Sequence, residues 1–182
     1  MLRVLVPLAP GFEELEAVTI TDLLVRAGAE VTTAGLDNNA VTASRGITII
    51  PDTSIDDIKN EVYDLIVLPG GLPGADYLQN DDRVQSLLKN HASNNKHIAA
   101  ICAAPKALNQ AGLLDNKTAT SFPGVLENTN NKTITISDKA TVVDGNIITS
   151  RGPGTAIDFT LELIELLIGK DKRDAVEKQL AR

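Results

Sequence analysis

The sequence predicts a single α/β domain over residues 1–182, a mostly parallel central sheet with helices on both faces. Three observations carry that reading. Arg3 to Leu8, Tyr63 to Leu68 and His97 to Cys102 are continuous apolar runs without polar alternation, as suits strands covered on both sides. Stretches with helical spacing separate them, and a repeated strand-helix-strand order is the signature of a parallel sheet. The 182 residues are 43% hydrophobic and 23% charged, a globular composition that rules out disorder and needs no disulfide or metal to hold it. With three Phe, two Tyr and no Trp, the core must be aliphatic.

Each element follows in order. RVLVPL (Arg3 to Leu8) is the first strand, Pro10 and Gly11 turn the chain, and helical spacing runs from about Glu13 to Ala27. Glutamates in the first turn, Arg26 in the last and Gly28 just beyond suit the helix dipole and C-cap. AEVTTAG, from Ala29, returns as a strand. Val41 to Ser44 and Ile47 to Pro51 are short and β-branched, and with Arg45 and Gly46 between them they predict a hairpin or a broken strand. YDLIVLPGG (Tyr63 to Gly71) is a central strand ending in a glycine pair. Asp82 to Asn94 has helical spacing through Val84, Leu87 and Leu88; His97 to Cys102 is a buried strand, and Pro105 to Ala111 a helix. TATSF is a short strand, and VLENTNNKT is a polar surface loop. Thr141 to Ser150 places Asp144 and Gly145 between two β-branched runs, a strong hairpin signal. A helix then begins with Pro153 in its first turn, and DKRDAVEKQLAR is a last amphipathic helix.

Charge and composition exclude several functions. Seventeen Lys and Arg stand against 24 Asp and Glu, a net charge of -7 with no basic stripe, which argues against direct nucleic-acid binding. No apolar run approaches the roughly 20 residues of a membrane-spanning helix. A lone cysteine cannot form an intrachain disulfide, and the N-terminal apolar run meets Glu13, Glu14 and Glu16 before it resembles a secretory signal. The expected compartment is the reducing cytoplasm.

The chemistry centres on Cys102. In IAAICAAPKAL it ends a buried strand and precedes a helix, with small neighbours at Ala100, Ala103 and Ala104 and Pro105 in the first turn. That is the outline of a nucleophile elbow, where a sharp strand-to-helix turn tolerates only small flanking groups. A thiol facing a helix N-terminus is expected to ionise at neutral pH, because such sites lower cysteine pKa values from about 8.5 to roughly 3.5–7.5. The alternative is an inert buried cysteine.

Glu16 is the second candidate. At about 100° per residue it shares a helical stripe with Ile20, Leu23 and Ala27 and should face the core. Desolvation raises the pKa of such a carboxyl group toward the range of general acid-base work, unless the side chain reaches back to solvent. Glu13 lies near the edge of the stripe and Glu14 on the opposite side, so both read as solvated first-turn acids. Backbone donors complete the constellation. PGG at Pro69 to Gly71 and SRGPGT at Ser150 to Thr155 both follow strands, so both fall on the carboxyl edge of a parallel sheet. There the N-H groups of Gly71 and Ala103 are placed to hold an oxyanion.

Taken together, APGFEELEAV, VLPGG, AAICAAP and TSRGPGTAIDF resemble the ThiJ/PfpI superfamily, and within it the deglycase (YajL-like) branch. The likeness covers nearly the whole chain in the same order. It implies a flavodoxin-like sandwich and a homodimer, with Cys102 as the reactive cysteine, Glu16 as its partner carboxylate, and Gly70, Gly71 and Ala103 as the surrounding backbone. It also implies that Arg45 and Arg151 lie near the site and the dimer contact. Many members carry a histidine near the cysteine. Here the matching position in TSFPG is Phe122, while His97 lies roughly 16 Å along the strand from Cys102 and His91 belongs to the preceding helix.

The resemblance implies detoxification or repair of reactive carbonyls, methylglyoxal to lactate or removal of its early adducts, by a Cys102 thiolate with Glu16 as acid-base. The expected ligand is a small aldehyde or glycated adduct, with no metal and no cofactor. The alternative is a redox-sensing chaperone in which Cys102 is oxidised to sulfinate and unfolded proteins are the clients. Peptidase activity is disfavoured, because no imidazole is expected within reach of Cys102.

Overall fold

A computed structural model describes all residues from Met1 to Arg182. β1 (Arg3–Leu8) leads through α1 (Glu14–Arg26) to β2 (Glu30–Gly35), then to β3 (Val41–Thr42), β4 (Thr48–Ile49) and β5 (Thr53–Ser54). Next come β6 (Leu65–Leu68), α2 (Gly74–Asn80), α3 (Asp82–Ser93), β7 (His97–Ile101) and α4 (Pro105–Gln110). The chain continues through β8 (Thr118–Ala119), β9 (Thr135–Ile136), β10 (Thr141–Asp144) and β11 (Ile147–Ser150). A 3-10 turn at Pro153–Thr155 then leads into α5 (Ala156–Leu167) and α6 (Lys170–Gln179).

Seven strands form the main sheet in the order β10-β11-β7-β6-β1-β2-β5. Every pairing is parallel except β10 with β11, where the hairpin closes through Gly145 and Asn146 and Asp144 already pairs with Ile147. α1 and α5 cover one face, packing on Val4, Val6, Val67 and Ile101. α2, α3 and α4 cover the other, over Leu5, Ile66, Leu68 and Ile98. Side chains alternate across each strand, so these runs are apolar throughout because both faces are buried. The flavodoxin-like α/β sandwich expected from the sequence is thus present.

Register fixes where chemistry can occur. Leu68 pairs with Ala100, and Ile101 with Ser150, so β6, β7 and β11 end level. Pro69–Gly71, Cys102 and Arg151–Gly152 therefore emerge together at the carboxyl edge. After β1 the chain places β2 on one side and β6 on the other, and this reversal of strand order opens the crevice where ligands bind in such sheets.

The short segment at Val41–Ser44 and Ile47–Pro51 is a hairpin, β3 with β4, lying outside the main sheet. Thr118–Ala119 also leaves that sheet and pairs with Thr135–Ile136. The polar loop between them is turned rather than extended, with Leu126 buried beneath it and the Asn131 amide donating to Asn109 and Asp115. α2 and β5 had no periodic signal, being a seven-residue helix and a two-residue strand. No helix is long and apolar enough to cross a membrane.

Candidate active site

Cys102 adopts φ +63°, the left-handed region, which is costly for a residue with a Cβ and is held only when the surroundings impose it. Its N-H donates to the Ser150 carbonyl at 3.0 Å and its carbonyl accepts from Phe122 N-H at 2.8 Å. The neighbouring strand and loop thus pin the peptide on both sides. Ala103 and Ala104 are buried, which leaves no room for larger neighbours. This is the strand-cysteine-helix elbow expected from the sequence.

Glu16 is fully buried on the inward stripe of α1, and its Oε2 accepts from the Gly70 N-H at 2.7 Å. Oε1 is buried and makes no hydrogen bond. Gly70 is wedged between the two reactive groups. A Cβ there would lie 2.6 Å from the Cys102 Cβ, 2.8 Å from Glu16 Oε2 and 2.9 Å from the Ile101 carbonyl oxygen. Only glycine lets carboxyl and thiol approach this closely. Gly71 has φ +87°, and its N-H, like that of Ala103, has no backbone acceptor. Both donate toward the Cys102 sulfur.

Electrostatics of the pair differ from the sequence expectation. Burial pushes Glu16 up from 4.5 to about 7, with the Gly70 N-H and the thiol pulling the other way. Burial, followed by the charge of Glu16, pushes the Cys102 thiol up to about 12, against the pull of the Gly71 and Ala103 N-H groups. The free thiolate expected from a helix dipole is therefore corrected. The helix after Cys102 has only six residues, and Cys102 is 9% exposed, so desolvation and the adjacent carboxylate outweigh the dipole. Two acids in one pocket hold a single negative charge, which these shifts place on Glu16 with the proton on the sulfur, so a thiolate forms only when that proton moves to Glu16. The bare Oε1 is the position for that proton, since protonation turns an unsatisfied acceptor into a donor.

Glu14 is also corrected. It is buried rather than solvated, accepting from Arg45 N-H at 2.9 and 3.1 Å and from the Ser44 hydroxyl at 3.0 Å. Burial raises its pKa, but these hydrogen bonds outweigh that and hold it below the usual carboxylate value. Half-buried Glu13 shares the Ser44 hydroxyl at 3.0 Å, and its N-H donates to the Gly70 carbonyl at 2.9 Å. A helical wheel places Glu14 away from the sheet correctly. It cannot show that the β3-β4 hairpin folds over that outer face, and no local pattern signals it.

The arginines are not brought to the pair within one chain. Arg45 is exposed at the hairpin tip, with a guanidinium that makes no hydrogen bond or ion pair. Arg151 Nη1 donates to the Asp138 carbonyl at 3.2 Å. His97 begins β7, at the strand end opposite Cys102, and His91 is buried in α3, where desolvation lowers it to about 4. Neither joins the site, and no cluster of three or more His, Cys, Asp or Glu could hold a metal ion.

Residues 2–166 match the DJ-1/PfpI family. The chain belongs to that family. It is 45% identical to protein dj-1beta of Drosophila melanogaster, over 97% of this chain and 95% of that one. It is 34% identical to the glutathione-independent glyoxalase DJR-1.2 of Caenorhabditis elegans, over 92% of this chain and 89% of the other. The crystal structure of D. melanogaster DJ-1beta superposes with a TM-score of 0.94 at 44% identity, covering 99% of this chain and 97% of that one. Glyoxalase-type enzymes thus occur within the DJ-1/PfpI family, on the fold that sets Cys102 beside Glu16 here.

Proposed function

We propose that this protein is a cysteine-dependent enzyme of reactive carbonyls, converting methylglyoxal to lactate and acting on its early adducts. The observation that carries the reading is the wedge at Gly70, which brings a buried thiol and a buried carboxyl group with one bare oxygen to the same point. The glyoxalase name of the C. elegans relative supports it.

In the proposed reaction the Cys102 sulfur bonds to the aldehyde carbon while Glu16 holds the thiol proton. The carbonyl oxygen takes the negative charge beside the Gly71 and Ala103 N-H groups, and Glu16 returns the proton to give a hemithioacetal. Glu16, now a carboxylate, removes the hydrogen from the former aldehyde carbon, and the electron pair forms an enediolate. Glu16 delivers that proton to the adjacent carbon while the hydroxyl proton on the sulfur-bearing carbon passes to the neighbouring oxygen, which leaves a lactyl thioester. Water hydrolyses it, restoring the thiol and releasing lactate, so the sum is methylglyoxal plus water. A carboxyl group titrating near neutrality suits both directions of transfer, and no step uses an imidazole, metal or cofactor. Purified protein should turn methylglyoxal into lactate, and Cys102→Ser should abolish it. Absence of lactate from the wild type would refute the assignment.

The same donors favour a second reading in which two equivalents of peroxide oxidise Cys102 through sulfenate to sulfinate, releasing two waters. The Gly71 and Ala103 N-H groups and protonated Glu16 would then hold the sulfinate oxygens, and unfolded proteins would be the clients. A gain of two oxygens that raises client protection without any lactate-forming activity would select it. Either reading suits a reducing cytoplasm. We also propose a homodimer through the outer face of α1 and the hairpin. Leu15, Val18, Val25 and Ile47 are 51%, 46%, 57% and 55% exposed, an apolar patch of the kind that twofold association covers.

A further inference from the structure

Phe122 is set apart from the chain's other two phenylalanines. Phe12 and Phe159 are fully buried in the core, whereas Phe122 is 50% exposed. It stands beside the nucleophile, its N-H donating to the Cys102 carbonyl at 2.8 Å. Its ring lies against Gly152, where an added Cβ would come within 3.3 Å of Cδ2. Gly152 follows β11 and leads into the 3-10 turn before α5, on the face of the sheet that α1 and α5 cover. Cys102, Ala103 and Ala156 belong to that same layer, and Val125 packs on it. The ring thus packs on the turn after β11, at the carboxyl edge where Cys102 emerges, and a half-exposed aromatic surface at that place is apolar area left uncovered.

The geometry points to Phe122 as a specificity-determining residue whose ring receives the apolar substituent of the carbonyl, so that aryl and branched-alkyl oxoaldehydes are better substrates than methylglyoxal. This rests on the carbonyl reading of the site. A ring supplies no hydrogen bond to a hydroxyl or a charge, but each apolar carbon covered against it adds to binding. One methylene in an apolar pocket is worth about 10- to 200-fold in discrimination, and a phenyl group in a half-open one falls toward the low end.

Two measurements test it. The first compares kcat/KM for phenylglyoxal and methylglyoxal. The wild type should favour phenylglyoxal by about tenfold or more, Phe122→Ala should lose that preference mainly through KM, and Phe122→Leu should keep most of it. The second needs no turnover. Alkylation rates of Cys102 by phenacyl bromide and by bromoacetone share one leaving group, and their ratio should fall about fivefold or more in Phe122→Ala. A ratio unchanged within about twofold would overturn the role of Phe122, whatever the turnover results. A fallen ratio without formation of the corresponding 2-hydroxy acid from any oxoaldehyde would refute the carbonyl enzyme while leaving the apolar wall in place.

Discussion

Gly70→Ala is the sharpest test of the wedge. The new Cβ would sit 2.6 Å from the Cys102 Cβ, 2.8 Å from Glu16 Oε2 and 2.9 Å from the Ile101 carbonyl oxygen. Two of those three atoms lie on or next to the backbone of a central strand and its pinned elbow, and the third is held by the Gly70 N-H. None can retreat cheaply. Carbon atoms rest at about 3.5–4.0 Å, so relief requires thiol and carboxyl to part by roughly 1 Å. Overpacking of this kind costs about 1–3 kcal/mol, and each kcal/mol lowers Tm by about 2–4 °C in a chain of this size. A misplacement of about 1 Å is worth on the order of 100-fold in rate. The variant should remain folded with a modestly lowered Tm and lose about 100-fold in lactate formation. Gly154→Ala is the control at the same edge, because its Cβ would meet nothing within 4 Å and its backbone is not left-handed. Full activity in Gly70→Ala would refute the claim that thiol and carboxyl work through their closeness.

Glu16→Gln should lose carbonyl turnover by about 100- to 10,000-fold, measured as lactate released, because an amide cannot shuttle the proton. Its stability should carry the opposite sign. A carboxyl group raised from 4.5 to about 7 in the folded state binds its proton more tightly there than in the unfolded chain. Its contribution is present below pH 4.5 and is lost as pH rises through 7, for a total of about 3 kcal/mol. Urea titrations should show Glu16→Gln gaining on the wild type between those values and level above them. Glu14→Gln should leave Cys102 and Glu16 in place but loosen the hairpin, with amide exchange at Arg45 rising about tenfold, as befits a lost bond to a charged acceptor. Val18→Asp should convert a dimer to a species of one chain mass in sedimentation, and a wild type already at that mass would remove the α1 face as a contact.

Much of the fold was legible because its strands are doubly covered and its helices are long enough to show a period. The bounds of β1, Arg3–Leu8, and the place of Cys102 at a strand end both follow from the apolar runs alone. Glu16 was legible for the same reason, since a carboxylate on the stripe of Ile20 and Leu23 has nowhere else to go. What escaped depends on pieces remote in sequence. Glu14 is buried by a hairpin about 30 residues away, contacts that a wheel cannot contain. The titration of Cys102 escaped because a dipole can be read from a strand-to-helix junction, whereas desolvation and the charge of Glu16 exist only once the chain has closed. α2 was invisible because GADYLQN is too short to establish a period.

The left-handed residue at the elbow also changes which side of the sheet the chemistry belongs to. Along β7 the side chains alternate, with Ile98 and Ala100 in the layer of α3 and α4 and Ala99 and Ile101 in the layer of α1 and α5. Strict alternation would send Cys102 to the first layer, away from Glu16. At φ +63° it joins the second instead. The elbow is a break in parity, and grafting this cysteine and glutamate onto another parallel sheet without that break would set the two groups on opposite sides of a wall.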